Sequence, residues 1–278
     1  MDETPGLVLK VGGRETDPSG GLGGVVEFVM RAQRAGREVV VVHGGGEEVT
    51  ERATALGLPT RKVEGQRVTD AGLLEVVIEV LAGRVNARVV NALTDAGVPA
   101  VGLTGLSGRL LPVQPAGDPP GSLGFVGEPT GARVRILRTL LDEGYTPVVA
   151  PIGTDQDGGV FNVNADRAAG AIAAAMGAEL VLLTDVPAVR SDDGAEIRSV
   201  AGSEVEALVA AGTVRDGMIP KLRSAARAVA AGAPSAWVGN LSGLGDDGPN
   251  SDVGTRIRPS LPARRAALLP VPTREARR

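Results

Sequence analysis

Short, uninterrupted apolar runs, separated by stretches of helical period, dominate the chain. Leu7–Val11 is the first and ends in Gly12-Gly13. Residues 39–42 are four valines in succession, running into His43-Gly44-Gly45-Gly46. Further runs occupy 100–103, 147–150 and 180–183, and 235–238 and 254–257 are additional candidate strands of mixed polarity. Strands apolar at every position, rather than every second one, belong to parallel sheets covered on both faces. Between them, helical patterns cover 24–35, with Gly36 as a C-terminal cap, then 73–95, 133–142, 166–176, 203–211 and 221–231. This alternation predicts an α/β fold, a three-layer αβα sandwich around a central, mainly parallel sheet. The stretch 106–127, rich in Gly and Pro, suggests hairpins or loops over the sheet.

Composition narrows the chemistry. With 278 residues, the chain can form one large domain or two lobes. It has no cysteine, so disulfides, thiolate metal sites and cysteine nucleophiles are excluded. Its one histidine, His43, cannot build a multi-histidine metal centre. Three Phe, one Tyr and one Trp are too few for a base-stacking platform, and the net charge of −4 also argues against a nucleic-acid partner. The stretch 259–278 holds five Arg, one Glu and four Pro, and is expected to be a disordered tail. No apolar run approaches the roughly 18–20 residues of a membrane helix. The start, Met1-Asp2-Glu3-Thr4-Pro5, lacks the features of a secretory signal, so a soluble, cytoplasmic protein without a membrane partner is expected.

Four turns, each expected to follow a strand, could carry chemistry, because ligands of open α/β sheets bind at the strands' C-terminal ends. They are Lys10-Val11-Gly12-Gly13, the triple glycine Gly44-Gly45-Gly46, the run Asn162-Val163-Asn164-Ala165-Asp166, and Gly217-Met218-Ile219-Pro220-Lys221. Glycines let backbone amides approach an oxyanion, and a helix N-terminus adds a favourable dipole. Singly, each turn has a plainer explanation: a tight turn, Asp166 as a helix N-cap, Lys221 as a solvated lysine, His43 as a structural residue. Their joint occurrence favours function. No P-loop, dinucleotide fingerprint, nucleophile elbow or protein-kinase signature occurs. Two lysines, an orienting carboxylate and backbone amides suit phosphoryl transfer, which depends on positioning and charge neutralisation. A carboxylate acceptor, already ionised, would need no general base.

The motifs LKVGG at 9–13, VHGGG at 42–46, RVTD at 67–70, GFVGE at 124–128, PVVAPIG at 147–153, NVNAD at 162–166, LLTDVP at 182–187 and GMIPK at 217–221 resemble, in order and spacing, the amino-acid kinase family. Specifically, they resemble its branch acting on N-acetyl-L-glutamate, over roughly 7–258. The resemblance implies ATP-dependent phosphorylation of that acceptor's side-chain carboxylate, giving N-acetylglutamyl 5-phosphate on the route to arginine. Lys10 and Lys221 would stabilise the transferring group, with Asp166 holding both. Amides of Gly12, Gly13, Gly44, Gly45 and Gly46 would bind phosphoryl oxygens. Arg67, Asn162 and Asn164 would bind the acceptor; Thr184, Asp185, Gly217 and Met218 would line the nucleotide site. Mg2+ would arrive mainly on the phosphates of ATP, with no dedicated metal ligands.

The implied organisation is an N-terminal lobe, 1–177, for acceptor binding and dimerisation, and a C-terminal lobe, 178–258, for ATP. An early first strand and a glycine-rich 239–248 in place of a long helix resemble the arginine-insensitive homodimeric type. Val76, Val77, Val80 and Leu81 would form the dimer contact or else ordinary core. An aminoadipate-type kinase and a non-catalytic binding protein of the same fold remain alternatives.

Overall fold

The structure, a computed structural model, describes residues 5–16, 21–63, 65–214, 217–250 and 252–260. Strand β1 (Leu7–Val11) leads through a 3-10 turn, Gly13–Thr16, towards α1 (Leu22–Arg34), and β2 (Val39–His43) leads to α2 (Gly46–Ala55). A small hairpin, β3 (Lys62–Val63) and β4 (Gln66–Arg67), precedes a long helical stretch. It comprises α3 (Ala71–Ile78), a π-helical segment Glu79–Val85 and α4 (Asn86–Asp95). There follow β5 (Ala100–Thr104), β6 (Val113–Pro115), β7 (Val126–Pro129), α5 (Arg135–Asp142), β8 (Thr146–Ala150), β9 (Ile152–Thr154) and β10 (Val160–Val163). Next come α6 (Ala165–Met176), β11 (Glu179–Leu183), β12 (Ser199–Ala201), α7 (Val205–Ala210), α8 (Met218–Ala230), β13 (Ala236–Gly239) and β14 (Thr255–Arg258).

The main sheet has the order β12-β14-β13-β11-β1-β2-β8-β5 and is parallel except where β13 meets β14. Successive side chains of a strand face opposite ways, so one apolar run feeds two cores. Val40 and Val42 pack with α6 and α8 residues such as Ile172 and Leu222, whereas Val39 and Val41 pack with Val25, Phe28 and Val76 on the other side. The anticipated three-layer sandwich is therefore present. The stretch expected as hairpins contributes β6 and β7 to a second sheet, β6-β7-β10-β9, which sits beside the site.

Val76, Val77, Val80 and Leu81 are at most 5% exposed and belong to the core cluster on the α1 side of the sheet, so the ordinary-core alternative is the one that holds for these side chains. Two expectations need correction. The 162–166 run does not follow a strand of the main sheet, because Asn162 lies within β10 and feeds directly into α6. Likewise, the 217–221 turn comes after α7 rather than after a strand. Strands of two to four residues, such as β3, β4, β9 and β10, carry too few alternations to announce themselves. Of the basic tail, only Pro259 and Ser260 are described; its expected disorder concerns residues outside the described ones.

Some of the glycine excess serves packing. Trp237 is fully buried and its Nε1 donates to the Val253 carbonyl at 2.9 Å. A Cβ on Gly254, whose φ is +79°, would fall 2.2 Å from the indole. At the opposite end of β11 from the site, the buried Glu179 carboxylate pairs with Arg37 at 3.5 Å, pairs more closely with Arg256, and accepts from Ser235 Oγ at 2.9 Å. Among the described residues, no helix is long and apolar enough to cross a membrane.

Candidate active site

Three elements converge on one carboxylate. Lys10 is the fourth residue of β1, a strand flanked by β11 and β2 at the sheet centre. Asn164, not Asp166, caps α6: its Oδ1 accepts from the Asp166 and Arg167 amides at 2.9 and 3.2 Å. That cap fixes Asp166 in the first turn, where the helix dipole favours an anion. Lys221 sits in the first turn of α8. Lys10 Nζ lies 2.9 Å from Asp166 Oδ1, and Lys221 Nζ lies 3.2 Å from Asp166 Oδ2.

Burial alone would raise the Asp166 pKa, but the two ammonium groups outweigh it and hold the carboxyl below its ordinary value. Burial alone would lower the Lys10 pKa, yet Asp166 outweighs it and the net shift is upward. Lys221 shifts the other way. Burial and the neighbouring Lys10 charge push its pKa down against the pull of Asp166. Two cations sharing one anion leave net positive charge facing the cleft. A cluster of that sign is ready for a phosphoryl group.

A cavity of about 350 Å³ opens on this cluster, lined by Lys10, Gly44, Gly45, Gly46, Arg67, Asn162, Asn164 and Lys221. The glycines divide their tasks. Gly44 N–H is already taken, donating to the Val11 carbonyl at 2.8 Å. That places Gly44 outside the proposed amide cradle and leaves Gly45 and the first turn of α2, whose N-terminus has no side-chain cap. Gly45 has φ +144°, and a Cβ there would lie 2.7 Å from Leu81 Cδ2. Only glycine fits such a position. Gly12 abuts the same turn, and a Cβ on it would lie 2.9 Å from Lys10 Nζ. Gly13 starts the adjoining 3-10 turn.

Arg67, on β4, donates from Nη2 to the Gly46 carbonyl at 2.6 Å and to Thr50 Oγ1 at 2.8 Å, while Nη1 is buried without a partner. Burial lowers its pKa, as expected for a cation that lacks a carboxylate of its own. Such a guanidinium suits an anionic ligand. Asn162 Nδ2 donates to Thr69 Oγ1 at 3.1 Å, whose own hydroxyl donates to the Arg67 carbonyl at 2.8 Å, tying β10 to the hairpin.

A second cavity, of about 670 Å³, is lined by Thr184, Asp185, Gly217, Met218 and Lys221, together with Pro187, Ser191 and Val214. Thr184 Oγ1 donates to Asp185 Oδ1 at 3.1 Å. The first cavity draws on residues before 177 except for Lys221, and the second draws only on residues after 178. Lys221 lines both. Lys62 and Gln66, in the segment 62–70 whose sequence favours an N-acylated amino acid, also line the first cavity, whereas its apolar wall of Val77 and Leu81 was not anticipated. Their side chains carry no motif, and only the fold brings them to the cleft.

Two cavities that meet at a lysine–aspartate–lysine cluster, on a three-layer αβα scaffold, define a phosphotransferase class. Residues 6–240 match the model of the amino acid kinase family, and the chain belongs to that family. It is 45% identical over 249 residues to an acetylglutamate kinase of Roseiflexus sp. (strain RS-1), covering 89% of this chain and 93% of that one. It is also 45% identical over 245 residues to an acetylglutamate kinase of Methanopyrus kandleri, covering 85% and 96% respectively. Among solved structures, smu.665 from Streptococcus mutans UA159 superposes with a TM-score of 0.78 at 28% identity, covering 91% of this chain and 98% of that one.

Proposed function

We propose that the chain is an acetylglutamate kinase, transferring the γ-phosphoryl group of ATP to the side-chain carboxylate of N-acetyl-L-glutamate in arginine biosynthesis. A carboxylate oxygen forms the new bond to γ-phosphorus, the bond from phosphorus to the β,γ-bridging oxygen breaks, and ADP leaves with that oxygen. The products are N-acetylglutamyl 5-phosphate and ADP. The observation that carries this reading is Lys221, shared by the two cavities and tied with Lys10 to Asp166.

The smaller cavity would take the acceptor, with Arg67 on its α-carboxylate and Asn162 and Asn164 towards its acetamido side. The larger cavity would take the nucleotide against Thr184, Asp185, Gly217 and Met218. Lys10, Lys221 and the amides around Gly12, Gly13, Gly45 and Gly46 would stabilise the charge on the transferring group. Among the described residues, no cluster of three or more acidic or histidine side chains could hold a metal. Mg2+ would on this reading enter bound mainly to the phosphates of ATP. On this reading, residues before 177 form the acceptor lobe and those from 178 to 258 the nucleotide lobe, within a cytoplasmic homodimer. The segment after β13 is a single 3-10 turn, Leu241–Gly243, rather than a long helix, which supports insensitivity to arginine.

An ADP-release assay with N-acetyl-L-glutamate, N-acetyl-aminoadipate and glutamate, with the acyl phosphate trapped by hydroxylamine, tests the reaction. Preferred turnover of N-acetyl-L-glutamate is expected. Preference for the aminoadipate analogue, or no turnover, would overturn the reading. Light scattering with and without arginine tests the assembly: a hexamer, or strong inhibition by arginine, would refute the dimeric, insensitive form.

A further inference from the structure

Gly44 is held at both ends. Its N–H donates to the Val11 carbonyl at 2.8 Å, and its own carbonyl lies 2.8 Å from His43 Nδ1. The imidazole is fully buried. Its Nε2 lies 3.1 Å from Asn86 Nδ2, and the same amide nitrogen donates to the Val148 carbonyl at 3.0 Å. An NH2 group only donates, so His43 Nε2 accepts and Nδ1 carries the proton. Turning the Asn86 amide over would set its oxygen against the Val148 carbonyl, which fixes the assignment. Burial, with Arg88 adding to it, pushes the His43 pKa down to about 4, so the ring stays neutral at working pH.

We propose that His43 is a positioning residue: held by Asn86, it orients the peptide between Gly44 and Gly45 so that the Gly45 N–H faces the transferring phosphoryl group. The carbonyl and the following N–H of a trans peptide point in opposite directions. With the Gly44 carbonyl turned to the imidazole, the Gly45 N–H points away from the ring, and Gly45 lines the cavity together with Lys10. A peptide between two glycines has no Cβ to hinder a flip. The flipped form would present a carbonyl oxygen to the phosphoryl oxygens and repel them. An external pin therefore has a catalytic consequence, and the inference rests on the phosphoryl-transfer reading of the same cavity.

Two measurements test it. Long-range 15N–1H spectra of the imidazole read the tautomer without any substrate. The Nδ1–H form is expected from pH 8 down to pH 5, and an Nε2–H or cationic ring would overturn the inference. This readout stands even if the wild-type chain turns over no acceptor, an outcome that would refute the kinase reading instead. The kinetic arm compares His43→Phe, which keeps ring volume but loses the donor, with His43→Asn, which keeps an N–H near the Nδ1 position but leaves a void. His43→Phe should lower kcat by about tenfold to a hundredfold, with KM for N-acetyl-L-glutamate changed by less than about threefold. His43→Asn should melt at lower temperature yet keep the higher kcat. Equal kcat in His43→Phe and wild type, or losses that simply follow stability, would show that the ring only fills space. Should His43→Phe not fold, Asn86→Ala, which removes the partner of Nε2, should lower kcat with little change in KM. A folded Asn86→Ala with full kcat would refute the inference.

Discussion

Lys10 Nζ lies 2.9 Å from Asp166 Oδ1, with the two side chains only 10% and 9% exposed. Because Lys221 shares the same carboxylate, removing that charge leaves two ammonium groups facing each other. Asp166→Asn should therefore lower kcat by at least about a hundredfold, since the lysines lose their placement for the transferring group. It should also destabilise the fold, because breaking a buried pair from one side costs about 3–5 kcal/mol. Adding Lys10→Ala to Asp166→Asn should restore part of that stability in urea titrations. A double variant less stable than the single one would show that the charges do not repel in the folded chain.

The opposite shifts of the two lysines give the pH profile a direction. Lys10 is held cationic, while Lys221 has a pKa below the ordinary 10.5. As pH rises through that lowered value, Lys221 loses its charge and kcat/KM, which reports the free enzyme, should fall. Lys221→Arg should move this alkaline limb upward, whatever its effect on the plateau. On the acid side the sign is that of a depressed carboxyl. Asp166 contributes stability that is fully present above its ordinary 3.8 and is lost as pH falls through its lower folded value. A kcat/KM profile whose alkaline limb is unchanged in Lys221→Arg would remove Lys221 from it.

Arg67 joins the hairpin to the glycine turn through Gly46 and Thr50. Lysine in its place keeps the charge but not the fork that serves two partners at once. Arg67→Lys should raise KM for N-acetyl-L-glutamate by about tenfold or more, with a smaller change in kcat and little change in KM for ATP. Steady-state kinetics with each substrate varied in turn check the split. A rise confined to the ATP constant would move Arg67 to the other cavity.

Glu179 tests the separation of stability from catalysis. It lies at the far end of β11 from the cleft, and its carboxylate is shared by Arg37 and Arg256. Glu179→Ala leaves both guanidinium groups without it, a loss of about 3–5 kcal/mol by analogy with other buried pairs. Denaturant melts should register it, while kcat at low temperature stays within about twofold of wild type, because a five-residue strand spans roughly 17 Å. A large fall in kcat in the folded variant would tie this cluster to the site.

The sheet was legible where its strands are apolar on both faces, as at 39–42, and not at the short edge strand β12, which the sequence did not announce. The site was legible where glycines and lysines stand next to strand ends and helix starts, as at Lys10, Gly45, Asp166 and Lys221. Roles within a motif were not. The sequence could not say that Gly44 gives its amide to Val11 or that Asn164, not Asp166, is the cap, since both depend on backbone direction. Val76 and Val80 are apolar whether they face a partner or a core. Only the packing of α2 against α3 and against the π-helical segment decides for the core.

That π-helical segment supplies the sharpest steric test. Leu81 and Val85 stand where a Cβ on Gly45 would lie, at 2.7 and 3.0 Å, and φ at Gly45 is +144°. Gly45→Ala therefore meets both a clash and a strained backbone, which together should destabilise the chain by about 2–4 kcal/mol. Adding Leu81→Ala removes one clash but not the strain, so stability should recover only in part. The shift of the Gly45 amide should keep kcat low in the double variant, because the donor stays misplaced while the room returns. Urea titration and steady-state rates on the two variants separate these effects. Full recovery of kcat with Leu81→Ala would mean that space alone, not the direction of the Gly45 amide, limits the reaction.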